Sequence, residues 1–177
     1  ADRSWVWVVN RTTNGTITIG DAKTTKKVSR LWKDGAASKE YFLVENRQRK
    51  LYDSKLPGDG LLVYHVDETL DSNENEAHPF IKLLEADALN HLHDGANRGD
   101  AGDPYPGSAK NVAVTATSNP NSKSYANKET FVTITQIGQS AANMKVKIGV
   151  KGPATSAKKK AKKKAKKAKK AKKAKKR

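Results

Sequence analysis

The sequence predicts an all-β fold, an antiparallel β-sandwich, and three observations carry that expectation. About eight short segments rich in β-branched and aromatic residues recur along the chain, with Gly, Pro, Asn or Asp between them. Two of them, residues 131–137 (FVTITQI) and 144–150 (MKVKIGV), alternate apolar and polar positions with period two. No segment before residue 157 shows the 3.6-residue apolar periodicity of a long helix.

In chain order, residues 4–9 (SWVWVV) and 16–19 (TITI) flank a polar loop ending in Asn14-Gly15, a turn signal that predicts a hairpin. Residues 28–32 form a short strand candidate. Residues 40–47 (EYFLVENR) read as a strong strand, whose continuous apolar centre at 41–44 suggests burial on both faces. The run Leu56-Pro57-Gly58-Asp59-Gly60 is a tight connection into a further strand at 61–66 (LLVYHV). Residues 80–84 and 112–117 are weaker candidates, and the two alternating segments at 131–137 and 144–150 close the series. Trp5, Trp7 and Trp32, with Tyr41 and Phe42, could form a ligand platform, but aromatic residues on strands more often pack in cores or between domains.

The 177-residue chain carries a formal net charge of +17, and that charge is unevenly placed. Residues 158–177 hold fifteen basic residues and no acidic one, which leaves the preceding body near neutral at +2. The basic residues are Lys158, Lys159, Lys160, Lys162, Lys163, Lys164, Lys166, Lys167, Lys169, Lys170, Lys172, Lys173, Lys175, Lys176 and Arg177. A body over residues 1–152 and a low-complexity Lys/Ala tail over 153–177 are the two expected parts. With no apolar side chain larger than alanine, the tail is expected to be disordered in isolation. It is expected to bind anionic polymers such as DNA, RNA or surface polysaccharide, with steep salt dependence and little sequence preference. The absence of cysteine excludes disulfides and thiolate zinc sites. No apolar run reaches the roughly 18–20 residues of a membrane span, and no signal peptide is visible. A start at Ala1 is expected of a mature product or an excised fragment.

The stretch 64–108 departs from the strand pattern. It carries oxygen-bearing side chains at close intervals: Asp67, Glu68, Asp71, Asn73, Asn75, Glu85, Asp87, Asp94, Asn97, Asp100 and Asp103. A connection of this length without regular structure is usually functional, ligand-stabilised or disordered. Calcium takes six to eight oxygen ligands, and irregular loops supply them readily. Structural calcium is therefore the expected cofactor, with Asp67, Asp87, Asp100 and Asp103 as first candidate ligands and Asn73, Asn75 and Asn97 behind them. The plainer alternative is a solvated loop held by Asx-turns. The spacing is not that of an EF-hand. His91 and His93 lack further ligands at zinc spacing, so zinc is not expected. His65 is expected to pack or hydrogen-bond beside the acidic loop.

Four motifs in this region resemble, in the same order, elements of secreted immune inhibitor A-like metallopeptidases. They are EYFLVENRQ at 40–48, LPG-x-GLLVYHVDE at 56–68, LEAD at 84–87 and NRGDAGDPYPG at 97–107. The resemblance spans residues 5–150 or so and implies the β-rich region that follows the zinc catalytic domain of that family. It also implies a secreted, extracellular, bacterial protein. The catalytic H-E-x-x-H motif is absent, so no catalytic residue is assigned in this chain. A catalytic domain is expected N-terminal to Ala1 or on a separate chain. Two positions depart from the family pattern: Ala88 stands where glycine usually follows LEAD, and Leu51 where a small residue is common. Taken with the acidic stretch and the basic tail, the expected function is that of a non-catalytic, calcium-stabilised β-domain of that family with a polycationic tail. The alternative is a structural or assembly subunit of an extracellular filament or nucleic-acid coat, with an N-terminal edge strand pairing between copies.

Overall fold

A computed structural model describes residues 6–152, so Trp5 and the whole lysine tail lie outside the described residues. The fold is all-β. Eight strands form: β1 (Trp7–Arg11), β2 (Gly15–Gly20), β3 (Lys27–Trp32), β4 (Glu40–Arg47), β5 (Gly60–Asp67), β6 (Ile81–Leu83), β7 (Thr133–Thr135) and β8 (Asn143–Gly149). The single α-helix among the described residues, α1 (Ala22–Thr25), is one turn. Its N-cap Asp21 accepts the Lys23 amide at 3.1 Å.

Two sheets result, one of five strands in the order β1-β3-β4-β5-β6 and one of three in the order β2-β8-β7. Their side chains share one apolar core. Leu31, Phe42, Val44, Leu61 and Val63 enter it from the first sheet, and Ile19, Ile134, Met144, Val146 and Ile148 from the second. The alternation seen in the sequence sets this arrangement. Along β8, Met144, Val146 and Ile148 are buried, while Lys145 and Lys147 between them face solvent. In β4, by contrast, Phe42 and Val44 enter the shared core while Tyr41 packs on the opposite face with Trp32 and Val66, as its continuous apolar run suggests. Each such side chain, fully buried, contributes about 1.5–3 kcal/mol.

Two expectations are corrected. The first two strands do not form a hairpin: β1 joins the five-stranded sheet and β2 the three-stranded one. Nor is the first sheet wholly antiparallel, because β1 runs parallel to β3, with Trp7 opposite Lys27 and Arg11 opposite Leu31. The turn at Asn14 explains the crossing. Its Oδ1 accepts the Val150 and Lys151 amides at 2.8 and 2.9 Å, and its Nδ2 donates to the Lys151 carbonyl. That side chain fastens the start of β2 to the end of β8. Ile17 then pairs with Val146, and Ile19 with Met144. The candidate at residues 112–117 reduces to two isolated bridges, Val114 with Ile134 and Thr115 with Asn121.

Polar residues inside the strong strand β4 join the sheets. Asn46 is fully buried; its Nδ2 donates to the carbonyls of Ile19 and Ala141, and its Oδ1 accepts Gln48 Nε2 at 2.7 Å. On the outer face, Glu45 accepts from Arg47 at 3.0 Å and from the Tyr64 hydroxyl at 3.1 Å. The tip of β1 carries exposed Trp7 and Val8 at the sheet edge.

Candidate metal centre

Gly60, which opens β5, brings the acidic site together. Its φ of +143° is a conformation side-chain-bearing residues rarely adopt. A Cβ there would lie 2.3 Å from the Tyr105 carbonyl oxygen. That close approach lets Leu61 and Tyr105 exchange both backbone hydrogen bonds, at 2.9 and 2.8 Å, which docks residues 97–107 against β5. Further along the same edge of β5, the Leu84 amide donates to the Val63 carbonyl as the chain leaves β6. The Ala86 amide then donates to the Asp103 carbonyl at 2.9 Å. The two acidic motifs, separate in sequence, therefore meet.

At their meeting point, one carboxylate oxygen from each of Glu85, Asp87 and Asp103 lies within 4.8 Å of the others. Glu85 is 2% exposed and Asp103 4%. Glu85 Oε1 accepts the His93 amide and Asp103 Oδ2 accepts the Asp100 amide, at 3.1 and 2.6 Å. Their other oxygens, Glu85 Oε2 and Asp103 Oδ1, are buried without a hydrogen-bond partner, as is the Tyr105 hydroxyl. Burial, followed by the charge of Asp87, raises the pKa of that phenol. Burial is also the largest influence on Asp103. With the charges of Asp100, Glu85 and Asp87 it raises the carboxyl above its ordinary value, against the lowering effect of the Asp100 amide. Among the described residues, no lysine or arginine forms an ion pair with any of the three.

Buried carboxylates that keep one oxygen unpartnered and have no counter-charge are unfavourable. A cation bound by oxygen at 2.3–2.6 Å can touch ligand atoms up to roughly 5 Å apart, so the spacing of this cluster admits a metal ion. Glycine at 102 keeps the space open, since a Cβ there would lie 2.1 Å from Asp87 Oδ2.

The expected ligands divide into three groups. Asp87 and Asp103 belong to the cluster. Asp100 and Asn97 stand beside it as turn formers: Asp100 Oδ1 accepts the Gly102 amide, Asp100 Oδ2 accepts from Asn97 Nδ2, and Asn97 Oδ1 accepts the Gly99 amide. Asp67, Asn73 and Asn75 lie elsewhere, engaged with protein groups. Asp67 accepts from Thr69 and meets His78 Nε2 at 2.8 Å. Asn73 exchanges both side-chain hydrogen bonds with the Ile81 backbone, and Asn75 accepts the Ala77 amide. Glu85, in the LEAD motif, is the cluster member absent from the expected ligand set. Its signal was its place two residues before Asp87. His93 Nε2 lies 3.0 Å from the Glu76 carbonyl.

A second constellation sits beside this one. The rings of Phe42, His65, Tyr125 and His78 stack in a column with centroid separations of 4.5, 4.2 and 4.1 Å. Glu40 meets His65 Nε2 at 2.9 Å and accepts the Tyr125 amide at 2.7 Å. Burial pushes the Tyr125 phenol up to about 12, helped by the charges of Glu40 and Asp67. Burial alone would raise the Glu40 and Asp67 carboxyls. For Glu40 the bonds from His65 and Tyr125 outweigh it, for Asp67 those from Thr69 and His78, and both end below their ordinary values. A carboxyl depressed on folding contributes stability that is present above its unfolded value and lost as pH falls through its folded one. Acid melts should therefore steepen below about pH 4.5, and the Glu40→Gln, Asp67→Asn double variant should show a flatter acid limb. Melting curves at pH 6 and pH 3 check this.

No helix among the described residues is long and apolar enough to cross a membrane. No family model, no curated protein and no solved structure matches the chain.

Proposed function

We propose that this chain is a non-catalytic, calcium-stabilised β-sandwich domain resembling the post-catalytic region of a secreted immune inhibitor A-like metallopeptidase. Its lysine tail, residues 158–177, tethers it to anionic polymers. The observation that carries the calcium reading is the pair of buried, unpartnered oxygens, Glu85 Oε2 and Asp103 Oδ1, on two members of a three-carboxylate cluster with Asp87. A divalent cation satisfies both and cancels the repulsion among three acids.

The backbone at the two positions that depart from the family pattern supports the resemblance. Ala88 (φ 60°) and Leu51 (φ 52°) both adopt the left-handed conformation that favours glycine. The domain's role in this reading is to support and orient an adjoining catalytic domain, with exposed Trp7 at the end where that domain would join.

The test is thermal melting with calcium and with excess chelator. Chelation is expected to lower the melting temperature by roughly 5–10 °C, from the few kcal/mol that a ligand at a hundred times its Kd supplies. An unchanged melt overturns the calcium reading.

A further inference from the structure

A cavity of about 370 Å³ opens between β5, β6 and the loop that precedes β7. Its rim carries Lys82, Lys123, Asn90, Asn119, Asn121 and Asn127, and no Asp or Glu lines it. Among the described residues, neither lysine has an acidic partner. Asn90, Asn119 and Asn127 spend none of their side-chain hydrogen-bonding capacity on the protein. Asn119, Asn121 and Asn127 are exposed, and polar side chains free of protein partners around a cavity of this size suit a small polar ligand.

The walls are pre-formed. The Tyr125 amide is held by Glu40, Ser122 Oγ donates to the Val132 carbonyl at 2.5 Å, and Thr130 Oγ1 donates to the Ser122 carbonyl at 2.5 Å. Ser124 exchanges hydrogen bonds with Lys128. Asn90 and Asn127 sit at φ 58° and 56°, a conformation asparagine tolerates better than most residues.

The lining chemistry narrows the ligand. Each asparagine amide offers both donors and an acceptor, which matches hydroxyl groups. Two lysines without a counter-acid match one carboxylate. Leu84 and Pro120 supply the small apolar surface. Both faces of Tyr125 are already covered by His65 and His78, so the site offers no open aromatic platform and must recognise its ligand through hydrogen bonds. We propose that this cavity binds a small polyhydroxylated carboxylic acid of the uronic-acid class, with the carboxylate at Lys82 and Lys123 and the hydroxyls at the asparagine amides. A simple inorganic anion leaves the amides unused, and a neutral sugar leaves the lysines unpaired.

The lysine tail attracts any anion, so the readout must be local. The full chain, labelled with ¹⁵N, is titrated separately with glucuronate, glucose and inorganic phosphate, and the side-chain amide signals of Asn90, Asn119 and Asn127 are followed by NMR. Glucuronate is expected to shift them saturably, glucose about tenfold more weakly, and phosphate not at all. The Lys82→Gln, Lys123→Gln variant is expected to lose about tenfold in glucuronate affinity. Equal response to glucose or to phosphate, or no response to glucuronate, overturns the proposal. Should the double variant fail to fold, the three-ligand comparison on the unaltered chain still decides.

Discussion

Replacement of Gly60 by alanine is expected to destabilise the domain by about 3 kcal/mol, the combined scale of a strained backbone and a forced steric overlap. The new Cβ would stand 2.3 Å from the Tyr105 carbonyl oxygen, which is backbone and has little freedom to give way. Relief requires β5 and residues 104–106 to separate, which breaks the paired hydrogen bonds between Leu61 and Tyr105. Tyr105 is fully buried, so its ring would lose its place in the core as well. Because Asp103 is positioned through the same segment, the variant should also bind calcium more weakly. Gly95→Ala is the control: φ there is also positive, at +70°, but no atom lies within 4 Å of the added methyl. Its cost should be about 1 kcal/mol, from backbone conformation alone. Urea denaturation of both variants checks the difference.

The second large effect is a reversal of sign at Glu85. Glutamine retains an oxygen to accept the His93 amide and places an NH₂ donor where Glu85 Oε2 has no partner. In chelator, Glu85→Gln should therefore melt higher than the unaltered chain, because it removes one of three crowded charges. In saturating calcium the order should invert, since the variant has lost a charged ligand. A purely structural carboxylate cluster, held by turns and solvent, gives the same order in both conditions.

Much of the fold was legible in side-chain alternation. In β8 the period of two places Met144, Val146 and Ile148 inward, and in β4 an unbroken apolar run marks a strand packed on both faces. Pairing was less legible, since strand partners are chosen over long sequence separations. The Asn14-Gly15 turn has the local chemistry of a hairpin, yet Asn14 spends its side chain on Val150 and Lys151, more than 130 positions away. Nothing in the sequence marks Asn46 out, although its amide joins the two sheets. In the acidic stretch, carboxylate density marked the region that holds the buried cluster of Glu85, Asp87 and Asp103. It did not separate ligand-like carboxylates from those, such as Asp67, that are satisfied by a hydroxyl, an amide and a histidine. That distinction depends on which oxygens remain unpartnered after folding. The cavity beside Lys82 was not legible at all, because its walls come from three segments that only the tertiary fold assembles.

Calorimetric titration of calcium into the full chain and into two variants, Asp103→Asn and Asp67→Asn, tests the central claim most directly. The account predicts one saturable site per chain that Asp103→Asn weakens at least about tenfold and that Asp67→Asn leaves intact. No saturable calcium binding, or a site indifferent to Asp103→Asn, would contradict it.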